Sequence, residues 1–248
     1  MLRFFLAFLL LFSVLPAASV DDLVREGLAA EARQECARAL ELFLQAAAAK
    51  PDDAFILQKI ARQYSDLVAD QDTVEAKRTF ATHALDYARR SYALEPTSAV
   101  DALSLAICHG HLALVSDIHT KVGYSRLIKE EIDQSLRLDP NYAWAHHLLG
   151  RWHCEVASLG VSARIFGRLF YGGLPPASLD EGIAHLRRAT ELEPGELSHW
   201  VELGFACAAA GRADDARRVW RHSLSLPPRG KHDADAQQRV RAALAKSD

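Results

Sequence analysis

The stretch LSHWVELGFACAAAGRADDARRVWRHSLSLPP, residues 197–228, carries the pattern that decides the fold of this chain. In it, Trp200 precedes Gly204 by four residues, Ala216 precedes Trp220 by the same distance, and a proline closes the run. Small residues let two antiparallel helices approach closely, the aromatic rings fill the space between them, and proline ends the second helix. The stretch therefore predicts one helix–turn–helix hairpin.

The same hairpin recurs along the chain. Prolines at equivalent positions close five units: Pro51, Pro96, Pro140, Pro194 and Pro228. The residues twelve and eight positions before each proline are small or apolar: Ala39 and Phe43, Ala84 and Ala88, Ile128 and Ile132, Gly182 and Leu186, Ala216 and Trp220. This spacing is typical of tetratricopeptide repeats, and three or more such units can bury a shared core. We expect an all-α fold, a right-handed superhelix of tetratricopeptide-like helical hairpins (an α-α superhelix), with five units over residues 20–228. Residues 229–248 are expected to form a linker and a C-terminal capping helix.

Three local features refine this prediction. A capping box at Asp72 and Glu75 predicts a helix that reaches Leu94, and a long helix is expected over residues 98–118. The fourth unit carries an insertion at 157–179, in which ARIFGRLF predicts a short basic, aromatic helix and GGLPP an irregular turn. Ser178 with Glu181 then predicts the start of the next helix.

The first nineteen residues differ in character from the rest. Arg3 precedes the apolar run FFLAFLLLFSVL, which small residues follow up to Ser19. A positive start, a short apolar centre and small residues at the end predict a secretory signal peptide over 1–19. The favoured location is periplasmic or secreted. The alternative is an uncleaved N-terminal anchor, with a possible membrane tether through residues 4–18.

Composition excludes several classes of function. The 29 Lys and Arg residues against 32 Asp and Glu residues give a net charge of −3, which argues against a nucleic-acid partner bound through bulk charge.

Four cysteines, Cys36, Cys108, Cys154 and Cys207, fall within predicted helices and are best interpreted as small buried side chains. A Cys108–Cys154 or Cys154–Cys207 disulfide remains open in an oxidising compartment.

Several segments resemble the regulator of microtubule dynamics family. They are GRWHCEVASLG at 150–160, LFYGGLPPASLDEGIAHLRRATELEPG at 169–195, PTSAVDALSLAICHGHLA at 96–113 and IKEEIDQSLRLDPNYAWAHHLLGRW at 128–152. The resemblance covers most of residues 50–228 and implies a fold of tetratricopeptide-like hairpins. It also implies an association with microtubules and with contacts between mitochondria and endoplasmic reticulum, as in the animal members. The Arg- and Ala-rich composition and the export signal suggest a bacterial relative, and an exported bacterial protein would meet no tubulin.

A partner-binding groove is predicted on the concave face, which the first helix of each unit lines in such arrays. The 197–228 hairpin serves as the template, and its projection onto the other units places these residues there: Phe55, Arg62, Asp66, Val100, Leu103, His111, Trp144, His147, Arg151, Glu155, Val201 and Phe205. One aromatic edge, two arginines and scattered acids suit a peptide with apolar and charged anchors. The alternative is that the chain fills the groove itself, with ARIFGRLF as an internal plug.

Histidine and catalytic motifs give no stronger alternative. Among eleven histidines, His109 and His153 hold equivalent positions in adjacent units, but no HExxH or CxxC spacing supports a metal site. The sequence has no GxSxG, P-loop or GxGxxG motif, so we expect no enzyme activity and no cofactor. The favoured function is a non-enzymatic protein–protein interaction scaffold that binds a protein or peptide in its groove. The alternatives are a membrane-anchored envelope or organelle tether and, by family resemblance only, a microtubule-associated regulator.

Overall fold

A computed structural model describes residues 19–160 and 172–247, and these form eleven helices and no strand. In chain order the helices are α1 (Val20–Ala32), α2 (Cys36–Ala49), α3 (Ala54–Leu67), α4 (Val74–Leu94), α5 (Ala99–Leu114), α6 (Ile118–Leu138), α7 (Ala143–Ala157), α8 (Leu179–Leu192), α9 (Leu197–Ala209), α10 (Ala213–Ser225) and α11 (Asp233–Ser247). Consecutive helices pack as the pairs α1/α2, α3/α4, α5/α6, α7/α8 and α9/α10, and α11 packs on the last pair. The predicted all-α superhelix of tetratricopeptide-like hairpins is confirmed.

The hairpins close where small residues face large ones. A Cβ atom added to Gly204 would collide with the indole ring of Trp220, as the template predicts. In the fourth pair, a Cβ on Gly150 would lie 2.6 Å from Leu186 Cγ and 2.8 Å from the carbonyl oxygen of Gly182. Gly211, with φ of +73°, makes the turn between α9 and α10. The close contacts at Gly204 and Gly150 explain why glycine is needed inside helices that would otherwise avoid it.

The register counted back from the prolines corresponds to the core. Nine of the ten residues in that register are buried: Ala39, Phe43, Ala84, Ala88, Ile132, Gly182, Leu186, Ala216 and Trp220. Five residues before Pro96 and Pro140, a serine fixes the start of the preceding helix of the same hairpin. Ser91 donates to the carbonyl oxygen of Ala54 at 2.7 Å, and Ser135 to that of Ala99 at 2.8 Å. Both hydroxyl groups are buried and therefore need these partners.

Helix boundaries differ from the prediction in two places. The helix expected over residues 98–118 is interrupted, because α5 ends at Leu114 and α6 begins at Ile118. The reason is an N-cap: the side chain of Asp117 accepts from the backbone N–H of Thr120 at 3.0 Å and starts a new helix. The cap of α4 is Thr73 rather than Asp72. Ser178 caps α8 as predicted, at 3.1 Å from the backbone nitrogen of Glu181.

The signal peptide predicted at 1–19 and the ARIFGRLF helix lie almost wholly outside the described residues. Residues 172–178 follow as an irregular segment in which Gly172 and Gly173 both have φ of +76°. None of the helices within residues 19–160 and 172–247 combines the length and the apolar character needed to cross a bilayer. All four cysteines are free thiols, and burial raises the pKa of Cys108 to about 12 and that of Cys154 to about 11.

Candidate functional site

An apolar cavity of about 490 Å³ lies between α5, α6 and α7. Its floor is part of the core, with Ile132 fully buried and Trp152 and Val156 less than a tenth exposed. Its wall on α5 includes Gly110, where an added Cβ would meet no atom within 4 Å. Leu174, from the described end of the insertion, closes one side. An apolar cleft of this volume is within the range of ligand and side-chain binding sites.

The mouth of this cavity is hydrophobic. Leu114 at the end of α5 is 75% exposed, Ile118 at the start of α6 is 58% exposed, and Leu159 after α7 is 40% exposed. All three line the same cavity. Single exposed apolar residues are ordinary on protein surfaces, but a group around an apolar cleft is typical of a docking site.

Charged side chains form one edge of the site. Arg151 Nη2 lies 3.0 Å from Glu155 Oε1, and Arg151 Nε lies 3.8 Å from Glu202 Oε2. Arg239 of α11 reaches the same Glu202 at 3.0 Å and lies 5.2 Å from the ring centre of Phe205. Arg151 and Glu155 also line a second, smaller cavity of about 250 Å³ between α7, α8 and α9. The two clefts therefore share Arg151 and Glu155 as a common edge.

The structure brings only part of the predicted groove set together. His111, Arg151 and Glu155 line the large cavity, and Phe205 lines the small one beside Arg151 and Glu155. Burial lowers the pKa of His111 to about 4, with the nearby charges of His232 and Arg151 acting in the same direction.

Other predicted groove residues lie apart from the cavity. Phe55, 49% exposed, lines a separate cleft between α1 and α3, with the Lys59 ammonium 5.5 Å from its ring centre. Arg62 lies 3.2 Å from Glu31 and 3.7 Å from Asp66. Val100 is 41% exposed at the start of α5.

Three predicted groove residues are corrected to core positions. Leu103 is 1% exposed, His147 3% and Val201 0%, so none presents surface to a ligand. The projection placed them in the groove because they lie on the first helices of their hairpins. Those helices also contact one another, α7 against α9 for example, and this contact covers part of the face.

Histidine pairs join α7 to its neighbours. His147 Nδ1 and His199 Nδ1 are 2.9 Å apart, and both rings are buried and contact the indole of Trp144. His146 Nδ1 and His185 Nδ1 are also 2.9 Å apart. One ring of each pair must donate and the other accept, so the two rings of a pair cannot both be protonated while the hydrogen bond is made. Burial lowers the pKa of His199 to about 4 and that of His147 well below its usual range.

The residues that sequence reasoning missed come from second helices and from the insertion. Ile118, Val122, Ser125 and Ile128 of α6 line the large cavity, with Leu174. The projection considered only first helices of each unit. The N-cap residue Asp117 was the available signal in the sequence, because it marks the start of α6 directly after the end of α5. No three His, Cys, Asp or Glu side chains in the described part of the chain lie close enough to hold a metal ion.

Paired helices, stacked in series and leaving a cleft on one face, define a tetratricopeptide-type helical-repeat protein. The structure is similar to the crystal structure of a thermophilic tetratricopeptide protein from Thermus thermophilus, with a TM-score of 0.69 over 92% of this chain and 100% of that one. At 21% identity, this likeness shows the fold alone. The family model for regulator of microtubule dynamics protein 1-3 matches residues 18–248, and the chain belongs to that family.

Curated relatives carry the same family name. The chain is 22% identical to regulator of microtubule dynamics protein 2 of Bos taurus over 77% of this chain and 47% of that protein. It is 27% identical to protein 1 of Bos taurus over 58% of this chain and 45% of that protein. It is 29% identical to protein 3 of Xenopus laevis over 58% and 31% of the two chains. The chain thus spans less than half of the length of these relatives.

Proposed function

We propose that this protein is a non-enzymatic interaction scaffold that docks an apolar segment of a protein partner in the cavity between α5, α6 and α7. The observation that carries the proposal is the apolar mouth formed by Leu114, Ile118 and Leu159 around a cleft of about 490 Å³. Burial of exposed apolar surface is the main favourable term in such association. The Arg151–Glu155–Glu202 network at the edge supplies polar contacts that orient the partner.

Photocrosslinking at the mouth tests this proposal. Benzoylphenylalanine in place of Leu114 should capture a partner in the native cell extract, and mass spectrometry should locate the crosslink on one apolar segment of that partner. A Leu94 replacement is the matched control, because Leu94 is 46% exposed but lies at the end of α4 and does not line the cavity. The added substitution Ile118→Glu should abolish capture from position 114. Equal capture from positions 94 and 114 would contradict the proposal.

Family membership favours microtubule association as a second candidate. The family name and those of the relatives refer to microtubule dynamics. If the same surface serves this function, the chain should co-sediment with polymerised tubulin and lose binding on Leu114→Glu. Binding through charged residues should also weaken as salt is raised. Absence of co-sedimentation with polymerised tubulin at every salt concentration would exclude this candidate for the chain.

Export or membrane anchoring decides which partners the protein can meet. The apolar run after Arg3 supports a signal peptide over 1–19, with an N-terminal anchor as the alternative. Mass spectrometry of the native N-terminus separates them. A mature chain starting near Ser19 supports an exported scaffold, whereas an intact N-terminus supports a membrane-anchored tether.

A further inference from the structure

We propose that residues 229–232, named the strap here, form an intramolecular latch over the end of α3, next to the predicted groove residues Asp66 and His111. The strap joins α10 to α11 and contacts residues that are more than 160 positions earlier in the chain. The inference rests on the proposed function only for its consequence, since the strap affects a partner only where that partner extends from the large cavity towards α3. The latch itself can be measured without a partner.

Lys231 makes the central contacts of the latch. Its Nζ donates to the backbone carbonyl of Asp66 at 2.6 Å and lies 2.6 Å from Asp70 Oδ2. Asp66 is in the last turn of α3, where carbonyl groups have no partner within the helix. A cation is favoured there by the helix dipole and by the Asp70 carboxylate. Lys231 is therefore a C-terminal cap for α3 supplied from the other end of the chain.

The strap is held in the shape that this contact needs. Asp233, 3% exposed, accepts from the backbone N–H of Arg229 at 2.8 Å and from that of Gly230 at 2.7 Å. On the opposite side, Gln34 Nε2 donates to the carbonyl oxygen of Arg229 at 3.1 Å. The first two hairpins are thus fastened to the strap by three hydrogen bonds, one of which is also an ion pair.

The latch lies next to predicted groove residues. Asp66 gives its carbonyl to Lys231, and its carboxyl experiences the charges of Lys231 and His232; burial raises the pKa of that carboxyl, and these charges oppose the rise. His232 also acts electrostatically on His111, which lines the large cavity. A ligand that runs along the first helices from α5 to α3 would have to displace the strap.

Cys36 is a built-in reporter of this latch. Its side chain is 5% exposed, and it lies two residues after Gln34, which donates to the carbonyl oxygen of Arg229 in the strap. Cys207, 1% exposed in α9, is a reference cysteine in the same molecule. The thiol of neither residue is bridged.

The experiment is iodoacetamide alkylation with peptide mapping, combined with hydrogen exchange of residues 68–73. Lys231→Glu places a carboxylate against Asp70 and should raise both the Cys36 alkylation rate and the exchange rate about tenfold by local opening. Lys231→Arg keeps the charge and should stay near the unmodified protein. Lys246→Glu makes the same charge change at an exposed position of α11 and should have no effect.

Two results would overturn the latch. One is equal Cys36 alkylation in the Lys231→Glu and Lys246→Glu variants. The other is a parallel rise of Cys207 alkylation, which would show general loosening rather than local opening. Loss of partner capture at Leu114 with an intact latch would instead count against the proposed function alone.

Discussion

Two junctions between hairpins differ sharply in this molecule. Between the second and third hairpins, α4 packs on α5, and Ser91 Oγ lies 2.7 Å from Asp101 Oδ1 in a buried contact. Between the third and fourth hairpins, α6 and α7 separate enough to leave the cavity of about 490 Å³. Both junctions connect helices of the same repeat type, so backbone architecture alone does not produce the difference.

Side-chain volume at three equivalent positions is the difference that we expect to separate the two junctions. The residues fifteen, twelve and eight positions before the closing proline are Ala81, Ala84 and Ala88 in α4, and Ser125, Ile128 and Ile132 in α6. All three alanines are fully buried, and all three α6 residues line the cavity. Alanine lets helices approach closely, whereas larger side chains hold them apart. We therefore expect that side-chain replacement within the same repeat can form a cleft, which the Ala84→Ile variant below tests.

The largest expected effect comes from removing the floor of the open junction. Ile132 is 0% exposed, and Ile132→Ala should lower the free energy of unfolding by about 2–5 kcal/mol through lost burial and a new cavity. Ile118→Ala at the mouth, where the side chain is 58% exposed, is the control and should change stability by less than about 0.5 kcal/mol. Urea denaturation measures both. Equal losses would mean that the mouth is core rather than docking surface.

A single substitution that copies a residue of α6 into α4 tests the closed junction between α4 and α5. Ala84→Ile introduces the residue that α6 has at the equivalent position, and overpacking should cost about 1–3 kcal/mol. Ala93→Ile, on an exposed position of the same helix, should cost only the helix-propensity difference of about 0.5 kcal/mol. Thermal unfolding followed by circular dichroism measures both. A neutral Ala84→Ile would show that volume at this position does not separate the junctions.

A pH dependence of stability is expected from the buried histidines that lie close to α7. The folded-state pKa values of His111, His185 and His199 are lowered to about 4, chiefly by burial. The unfolded chain therefore binds protons that the folded chain does not as pH falls below about 6.5. Stability should be full above that pH and should decline towards pH 4, by up to about 1.4 kcal/mol per pH unit for each histidine.

The His199→Gln variant tests whether the buried His147–His199 pair contributes to this decline of stability with pH. His199→Gln can still hydrogen-bond to His147 but cannot titrate, so the decline in unfolding free energy between pH 6.5 and 4 should become shallower by up to about one proton. His83→Gln, at an exposed position of α4, should leave the slope unchanged. Urea denaturation at a series of pH values gives both slopes. Identical slopes in the His199→Gln variant and the unmodified protein would exclude the pair as the source.

Much of the array could be predicted from local patterns. The closing prolines, the glycine–aromatic contact of Gly204 with Trp220 and the cap at Ser178 were visible because each depends on residues close in sequence. The candidate site was predicted less well. Arg151 and Glu155 were assigned to it, but Leu103 and Val201 are in the core, because the sequence does not show how far neighbouring first helices cover one another.

By itself, the amino-acid sequence determined the helices, their pairing into hairpins and the buried register, since periodicity and turn chemistry act over a few residues. Only the tertiary structure decided which junction opens and that Lys231 reaches Asp66 and Asp70 across the molecule. Those features depend on small differences in how each hairpin is placed on the one before it, and these differences accumulate along the array. Such differences are set by side-chain volumes at several interfaces together, and no single stretch of sequence contains them.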